Sequence, residues 1–404
     1  MKQIILAPYV FTEIRDKHVL YYNSLNGEKI ITSDNKIIKT FSRRENNYNI
    51  IKIEENLLHL DWVKSFIDEV EQKKIGIIVS YDKVAPIQFA PVISIQNEYG
   101  QKKVSKDNSY NSFLNLRELT IVLNAKYSYE DLKQNRKGNS NLLLESETYS
   151  VDYQLINNFI DPLYLSESVH RINLNGYNIL EYKHFDDLIA MLYKFFNRTQ
   201  ICFNFNTLDV LNDLNKLIAL MELPKSKFIF NLRDENHKSH MNTINRYLSG
   251  KNIEFNCYIE NIDEAEKYND LQIENRKINY IPSYNGSNLD FFEENVFLNK
   301  NDVLSFKPTQ NEVFKNMNIN SKYFGKLIIN AIGDVYANML QDSLGNISTN
   351  SIQEILDAEF QNGNSWFLTR SKVSPCNKCI FNILCPPISS YEFELKRYNL
   401  CHIN

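Results

Sequence analysis

Six short runs rich in β-branched and aromatic residues recur through the middle of the chain, and their spacing limits the fold more than any other feature. They are "RELTIVLN" (117–124), "RINLNG" (171–176), "QICFNF" (200–205), "SKFIFNLR" (226–233), "IEFNCYIE" (253–260) and "KINYIPSY" (277–284). Each has the length of a strand, and segments of helical period lie between them. In "HFDDLIAMLYKFFNR" the residues Leu188, Leu192, Phe195 and Phe196 share one face, and in "LDVLNDLNKLIALM" Leu211, Leu214, Leu217, Ile218 and Met221 do the same. Strands that alternate with helices build a parallel sheet, and six such units joined by right-handed crossovers wind into a partial (β/α)6 barrel of TIM type.

The 404 residues leave room for more than this barrel. Polar "NEYGQKKVSKDNSYNS" marks a boundary, so the reading is an N-terminal α+β domain over 1–112, a βα barrel over 113–315 and a cysteine-rich domain over 316–404. A net charge of -4 offers no general basic surface, which argues against nucleic acid as a partner. No apolar run approaches the roughly 18 residues of a membrane span, and the apolar stretch at the N-terminus runs straight into charge rather than toward a signal-peptide cleavage site. The expected location is the cytoplasm, away from membranes.

Four of the six cysteines fall in the last thirty residues, in "CNKCIFNILCPPISSYEFELKRYNLC". In a reducing compartment such clustering points to metal binding rather than cross-linking. Cys376 and Cys379 are separated by two residues, Cys385 follows after five more, and Cys401 returns from fifteen residues further on. Four thiolates suit a tetrahedral zinc ion or the four corners of a [4Fe-4S] cluster, and spacing does not decide between them. The alternative is four unligated core cysteines. Cys202 and Cys257 lie within apolar strand-like runs and read as buried structural residues.

The flanking stretch from "YFGKLIINAIGDVYAN" through "LGNI", the helix "SIQEILDAEF" and the Cys-x2-Cys-x5-Cys run resembles the SPASM domain, the iron-sulfur module at the C-terminus of radical SAM peptide maturases. The resemblance implies that Cys376, Cys379, Cys385 and Cys401 match the ligands of the second of the two auxiliary clusters usual there. Ligands for the first are missing: Asn338 stands where the Gly-x4-Cys counted from Gly333 requires a cysteine, and Ser389 stands at another expected cysteine. The resemblance therefore implies one auxiliary [4Fe-4S] cluster, and it casts the βα barrel as one of radical SAM type. Yet the loop after the first barrel strand, "AKYSYEDLKQNRKGNSNLLLESETYS", contains no cysteine, so the Cys-x3-Cys-x2-Cys that opens one iron to S-adenosylmethionine is absent. In the loop after the second strand, "LNGYNILEY", only Gly176 remains of the family's Gly-Gly-Glu pattern. Since the cofactor and its cluster carry the radical chemistry, a barrel without them reads as a pseudoenzyme with no catalytic residues and no S-adenosylmethionine.

With "PYVFTEIRDKHVLYYNSLNGEKI" and "PIQFAPVISIQ", the chain resembles the pseudo-radical-SAM proteins of Bacteroidales-type Gly-Gly peptide modification systems. The partners so implied are a precursor peptide with its leader and a radical SAM maturase. In the N-terminal region "YVFTEI" and "HVLYYNSLNGEKIIT" read as strands, "TSDNKIIKTFSRR" as a helix behind Thr32, Ser33 and Asp34, "DWVKSFIDEVEQKK" as a helix that aligns Trp62, Val63, Phe66 and Val70, and "IGIIVS" as a strand. This order is similar to that of peptide-recognition elements, which take a leader as an added strand; the alternative is an extension that packs on the barrel. His237 with His240 forms an incomplete metal pair, Lys39 with Arg43 and Arg44 a small basic patch, His402 a neighbour of the terminal thiol, and Trp366 a ring expected to pack on the cysteine loop. Two functions follow: a non-catalytic binding partner in ribosomal peptide maturation, or a redox or peptide-modifying enzyme that uses the tail cluster for electron transfer. A zinc-stabilised scaffold is the variant in which the tail holds no iron.

Overall fold

The computed structural model describes residues 2–15, 17–41, 50–80, 112–126, 148–165, 167–195, 197–205, 213–232, 241–242, 244–246, 248, 252–269 and 277–403. The chain is mixed α/β and divides into two compact units, each assembled from separate stretches. One comprises Met1–Ser105, Phe297–Lys322 and Phe367–Asn404; the other comprises Lys106–Val296 and Tyr323–Trp366. The expected three successive segments are thus replaced by two interleaved units.

The first unit holds two antiparallel sheets. Strands β1 (Lys2–Leu6), β5 (Ile50–Ile53) and β6 (Gly76–Ser80) form one in the order β5-β1-β6, and β2 (Val10–Arg15), β3 (His18–Asn23) and β4 (Lys29–Thr32) form the other in chain order. Strand β3, "HVLYYN", lacks the polar alternation of a half-exposed strand because both its faces are covered. Val19 and Tyr21 enter a core with Phe66 and Val70 of the helix Asp61–Gln72, whereas Leu20 and Tyr22 enter a second core with Val303, Val313, Phe381 and Leu384. Buried phenols need acceptors: Tyr21 donates its hydroxyl to Phe41 O at 2.6 Å and Tyr22 to Pro308 O at 2.7 Å. The helix Asn35–Phe41 starts as expected behind Asp34, whose carboxylate accepts from Lys36 N at 2.7 Å.

The second unit is built on β7 (Glu118–Val122), β8 (Asn124–Lys126), β9 (Thr148–Ser150), β10 (Arg171–Asn175), β11 (Gln200–Phe205), β12 (Ser226–Leu232), β13 (Ile253–Ile259), β14 (Lys277–Pro282), β15 (Lys326–Ile329), β16 (Asp334–Tyr336) and β17 (Gly345–Asn346). Nine of them form one sheet in the order β14-β13-β12-β11-β10-β7-β15-β16-β17, while β8 pairs with β9. The six expected strands are all present, mutually parallel and adjacent in chain order. Strand β15 adds in parallel to the free side of β7, and β16 and β17 continue antiparallel. The segment expected as one cysteine-rich domain is therefore split. Its strand pair and the helix Ile352–Asn362 complete the sheet, because β15 satisfies its backbone on β7, while the cysteine run joins the first unit, because Ile380, Phe381, Ile383 and Leu384 find the apolar face of β3.

Local corrections follow from helix geometry and packing. The helix Leu214–Met221 buries Leu217, Leu220 and Met221, and Ile218 faces solvent instead of the core. Trp366 packs against Phe324 and Phe360 of its own unit and donates Nε1 to Lys326 O at 3.0 Å, so its partners are the sheet and not the cysteine loop. The side chains of Phe196 and Leu211, most of the 97–112 boundary and most of the 125–150 loop lie outside the described residues. Among the described residues no helix is long and apolar enough to cross a membrane.

Because β3 serves two cores at once, truncating its buried side chains should be costly. Leu20→Ala is expected to lower unfolding free energy by roughly 2–5 kcal/mol, against a change within about 0.5 kcal/mol for the exposed Leu25→Ala. Urea denaturation followed by tryptophan fluorescence checks this, and equal midpoints for the two variants would contradict the two-core assignment.

Candidate metal centre

The four tail cysteines line one cavity of about 600 Å³ in the first unit. A tight turn brings the first two together: Cys379 N donates to Cys376 O at 3.0 Å, and Phe381 N approaches Cys379 Sγ at 3.5 Å. A second turn, with Cys385 N donating to Phe381 O at 3.2 Å, presents the third. Cys401 comes back on the terminal segment, which is tied by a parallel bridge to Leu298 and by hydrogen bonds from Leu298 N to Leu400 O at 3.0 Å and from His402 N to Leu298 O at 2.9 Å. Cys401 thus lines the same cavity as Cys376, Cys379 and Cys385. No Asp or Glu lines this cavity among the described residues, whereas Lys300, Lys378, His18 and His402 do.

One cation organises the wall. Arg370 is 9% exposed and forms a two-pronged ion pair with Glu392, itself 1% exposed, at 2.9 and 3.2 Å. The same guanidinium donates to Tyr398 O at 3.1 Å, to the carbonyls of Pro386 and Pro387, and approaches Cys376 Sγ at 3.6 Å. It thereby joins the three stretches that carry Cys376, Cys385 and Cys401. Burial works against its charge, but Glu392 and then the Cys385 and Cys376 thiols hold its pKa above the ordinary arginine value. Glu392 also closes the capping box of the helix Ser390–Glu394, accepting from Ser389 N at 2.7 Å. Ser389, the position of an expected cysteine, is thus a helix cap.

Burial pushes the Cys385 thiol up to about 12, opposed by Arg370 and reinforced by the other three cysteines; Cys376 and Cys379 are raised for the same leading reason. The four sulfurs therefore share one field. Among the described residues no three Cys, His, Asp or Glu side chains converge on a single-ion site. A zinc tetrahedron would need sulfurs about 3.8 Å apart, given a Zn–S bond of about 2.3 Å. One further wall residue bears on what the cavity takes. Asn382 is 4% exposed, and neither its amide nitrogen nor its oxygen has a hydrogen-bond partner. Four thiols, a cation and an unpaired amide on one cavity form a donor set suited to a sulfur-ligated metal group.

The remaining candidates separate. Cys202 on β11 and Cys257 on β13 are buried, and burial raises their thiols to about 11 and about 12. Gly176 is explained by packing: a side chain there would meet Asn124 Oδ1 at 2.5 Å, and Asn124 clasps the loop through Asn178. Asn338 is buried in the second unit with its Oδ1 accepting from Leu340 N at 3.0 Å. His402 lines the cavity with its ring 5.7 Å from Phe297. His237, His240, Arg43 and Arg44 lie outside the described residues.

Sequence reasoning missed Arg370, Glu392 and Asn382, and also one face of the parallel sheet. On that face Asn279 donates to Asn256 at 2.9 Å and Asn256 to Asn231 at 2.8 Å, in register across β14, β13 and β12, and Asn204 and Asn173 lie on the same face out of step with this row, opposite Ile229 and Cys202. At its start Glu118 is flanked by Arg171 and Lys326, and Glu254 by Lys227 and Lys277. The signal was present as an asparagine in most of the six runs, at alternate positions from the apolar residues.

Two outcomes are expected. Arg370→Met strands a buried carboxylate and should cost roughly 3–5 kcal/mol in urea unfolding, while Arg370→Met with Glu392→Leu should recover most of that loss; equal losses would show that the pair does not act as a unit. Iodoacetamide at pH 8 should label Cys379 and Cys401 of the metal-free protein well before Cys202 and Cys257, as mapped by peptide mass spectrometry.

No family model matches the chain, and no curated protein does. Among solved structures the chain is similar to BtrN in an open conformation, at 14% identity over 65% of this chain and 92% of that one, with a TM-score of 0.32.

Proposed function

We propose that the chain is a non-catalytic, cytoplasmic partner in ribosomal peptide maturation, a pseudo-radical-SAM protein whose parallel sheet has the curvature of a partial (β/α)6 barrel and whose tail is of SPASM type. Cys376, Cys379, Cys385 and Cys401 hold one [4Fe-4S] cluster, which when bound supplies either a structural clamp or a one-electron centre. The observation that carries this reading is the convergence of four thiols on one cavity whose wall holds no carboxylate among the described residues. Four thiolates match the four irons of such a cluster, one to each. A cluster with four thiolate ligands has no open iron for substrate, which supports binding rather than bond-making. The half-buried amide row on the parallel sheet and the outer edge of β4, which carries no partner strand among the described residues, support the capture of a peptide.

Protein purified anaerobically is expected to contain about four irons and four sulfides per chain, lost in the Cys376→Ala, Cys379→Ala double variant, and to retain a Gly-Gly leader peptide in a pull-down without modifying it. One zinc and no sulfide would replace the cluster with a structural knuckle. Modification of the peptide by the chain alone would overturn the non-catalytic role.

A further inference from the structure

Between Cys379 and Cys385 the chain reads Ile380, Phe381, Asn382, Ile383, Leu384. The four apolar members enter the core behind β3, and Asn382 alone among these five is polar. Its backbone is engaged, with Asn382 N donating to Cys379 O at 3.4 Å, but its side-chain amide is buried among the residues that line the thiol cavity with both polar atoms unpartnered. A buried amide without a partner is destabilising, and an apolar residue would fit the surrounding sequence at no such cost. The amide is therefore explained by something that enters the cavity and pairs with it. Thiolates and inorganic sulfides accept hydrogen bonds and do not donate them, so the pairing atom is Nδ2.

We infer that Asn382 donates a hydrogen bond through Nδ2 to a sulfur of the cluster held by Cys376, Cys379, Cys385 and Cys401, and that this bond raises the cluster's reduction potential. The inference rests on the cluster reading of the chain. A donor aimed at sulfur stabilises the more negatively charged, reduced form, and hydrogen bonds to sulfur are among the factors that set such potentials. Arg370, 3.6 Å from Cys376 Sγ, acts in the same direction from another side. Asn382 is a positioning and tuning residue: it changes how readily the cluster accepts an electron without ligating it.

The test compares Asn382→Leu with the wild-type protein, both reconstituted with iron and sulfide, by iron and sulfide analysis and by a mediated dithionite titration followed by electron paramagnetic resonance. The variant is expected to load the cluster and to be harder to reduce, by about tenfold in the reduction equilibrium, or about 59 mV for a one-electron couple. Its metal-free form is expected to melt above the metal-free wild type, because an unpaired buried amide has been removed. Asn382→Ala removes the donor without adding bulk and gives the same downward shift if leucine impairs folding. An iron-loaded variant with the wild-type potential overturns the inference and leaves the cluster standing. A wild-type chain that holds no iron and no sulfide overturns the cluster reading and this inference with it.

Discussion

The buried pair between Arg370 and Glu392 is the interaction on which the tail depends. A guanidinium taken out of water this completely is tolerable only when its charge is matched and its remaining donors are filled, and here the carboxylate and the carbonyls of Pro386, Pro387 and Tyr398 do both. The consequence is geometric. Arg370 lies ahead of the Cys-x2-Cys turn, the two prolines directly follow Cys385, and Tyr398 precedes Cys401, so one side chain fixes the approach of three thiol-bearing stretches. It is also electrostatic, since burial and the neighbouring cysteines oppose ionisation of Cys376 and Cys385, and the Arg370 guanidinium offsets this for both.

Strand β3 holds a comparable place in the packing of the same unit. A central strand usually presents one face to a core, but β3 divides its side chains between two, and the second is made with the segment that carries the cysteines. The N-terminal meander is thereby part of the framework of the thiol cavity. For the proposed function, a peptide added at the edge of β4 would lie on the sheet that also braces the cysteine turn. The parallel sheet of the second unit contributes something different, a polar face in which amides pair across strands. Parallel sheets are commonly apolar on both faces, so this departure is an expenditure of hydrophobic area that a peptide-facing surface would justify.

Strand runs and cysteine spacing were legible because both are local signals. Each of the six strands appears within a residue or two of its expected ends, since β-branched and aromatic clusters bounded by polar turns leave little choice. The helix expected in "SIQEILDAEF" appears as Ile352–Asn362, started by a capping box between Ser351 and Glu354. Arg370 and Asn382 were illegible for the opposite reason: nothing in "TRSKV" or "IFNIL" distinguishes a buried arginine from a surface one, or a buried unpaired amide from one in a loop. Ile218 went astray because a helical wheel identifies an apolar stripe without saying where the core ends.

The sequence by itself determined the parallel βα order of the second unit, the grouping of four thiols in residues 376–401, and the lack of a three-cysteine motif after the first of the six parallel strands. These follow from period, spacing and composition, which no partner is needed to read. Tertiary structure alone decided that the tail is divided, its hairpin completing the sheet beside β7 and its cysteine turn closing a core with β3. The physical reason is that backbone hydrogen bonds and apolar side chains seek separate kinds of satisfaction: a strand goes to the free edge that matches it, and an apolar turn goes to the face that excludes water from it. Which edge and which face are available is set by residues hundreds of positions away.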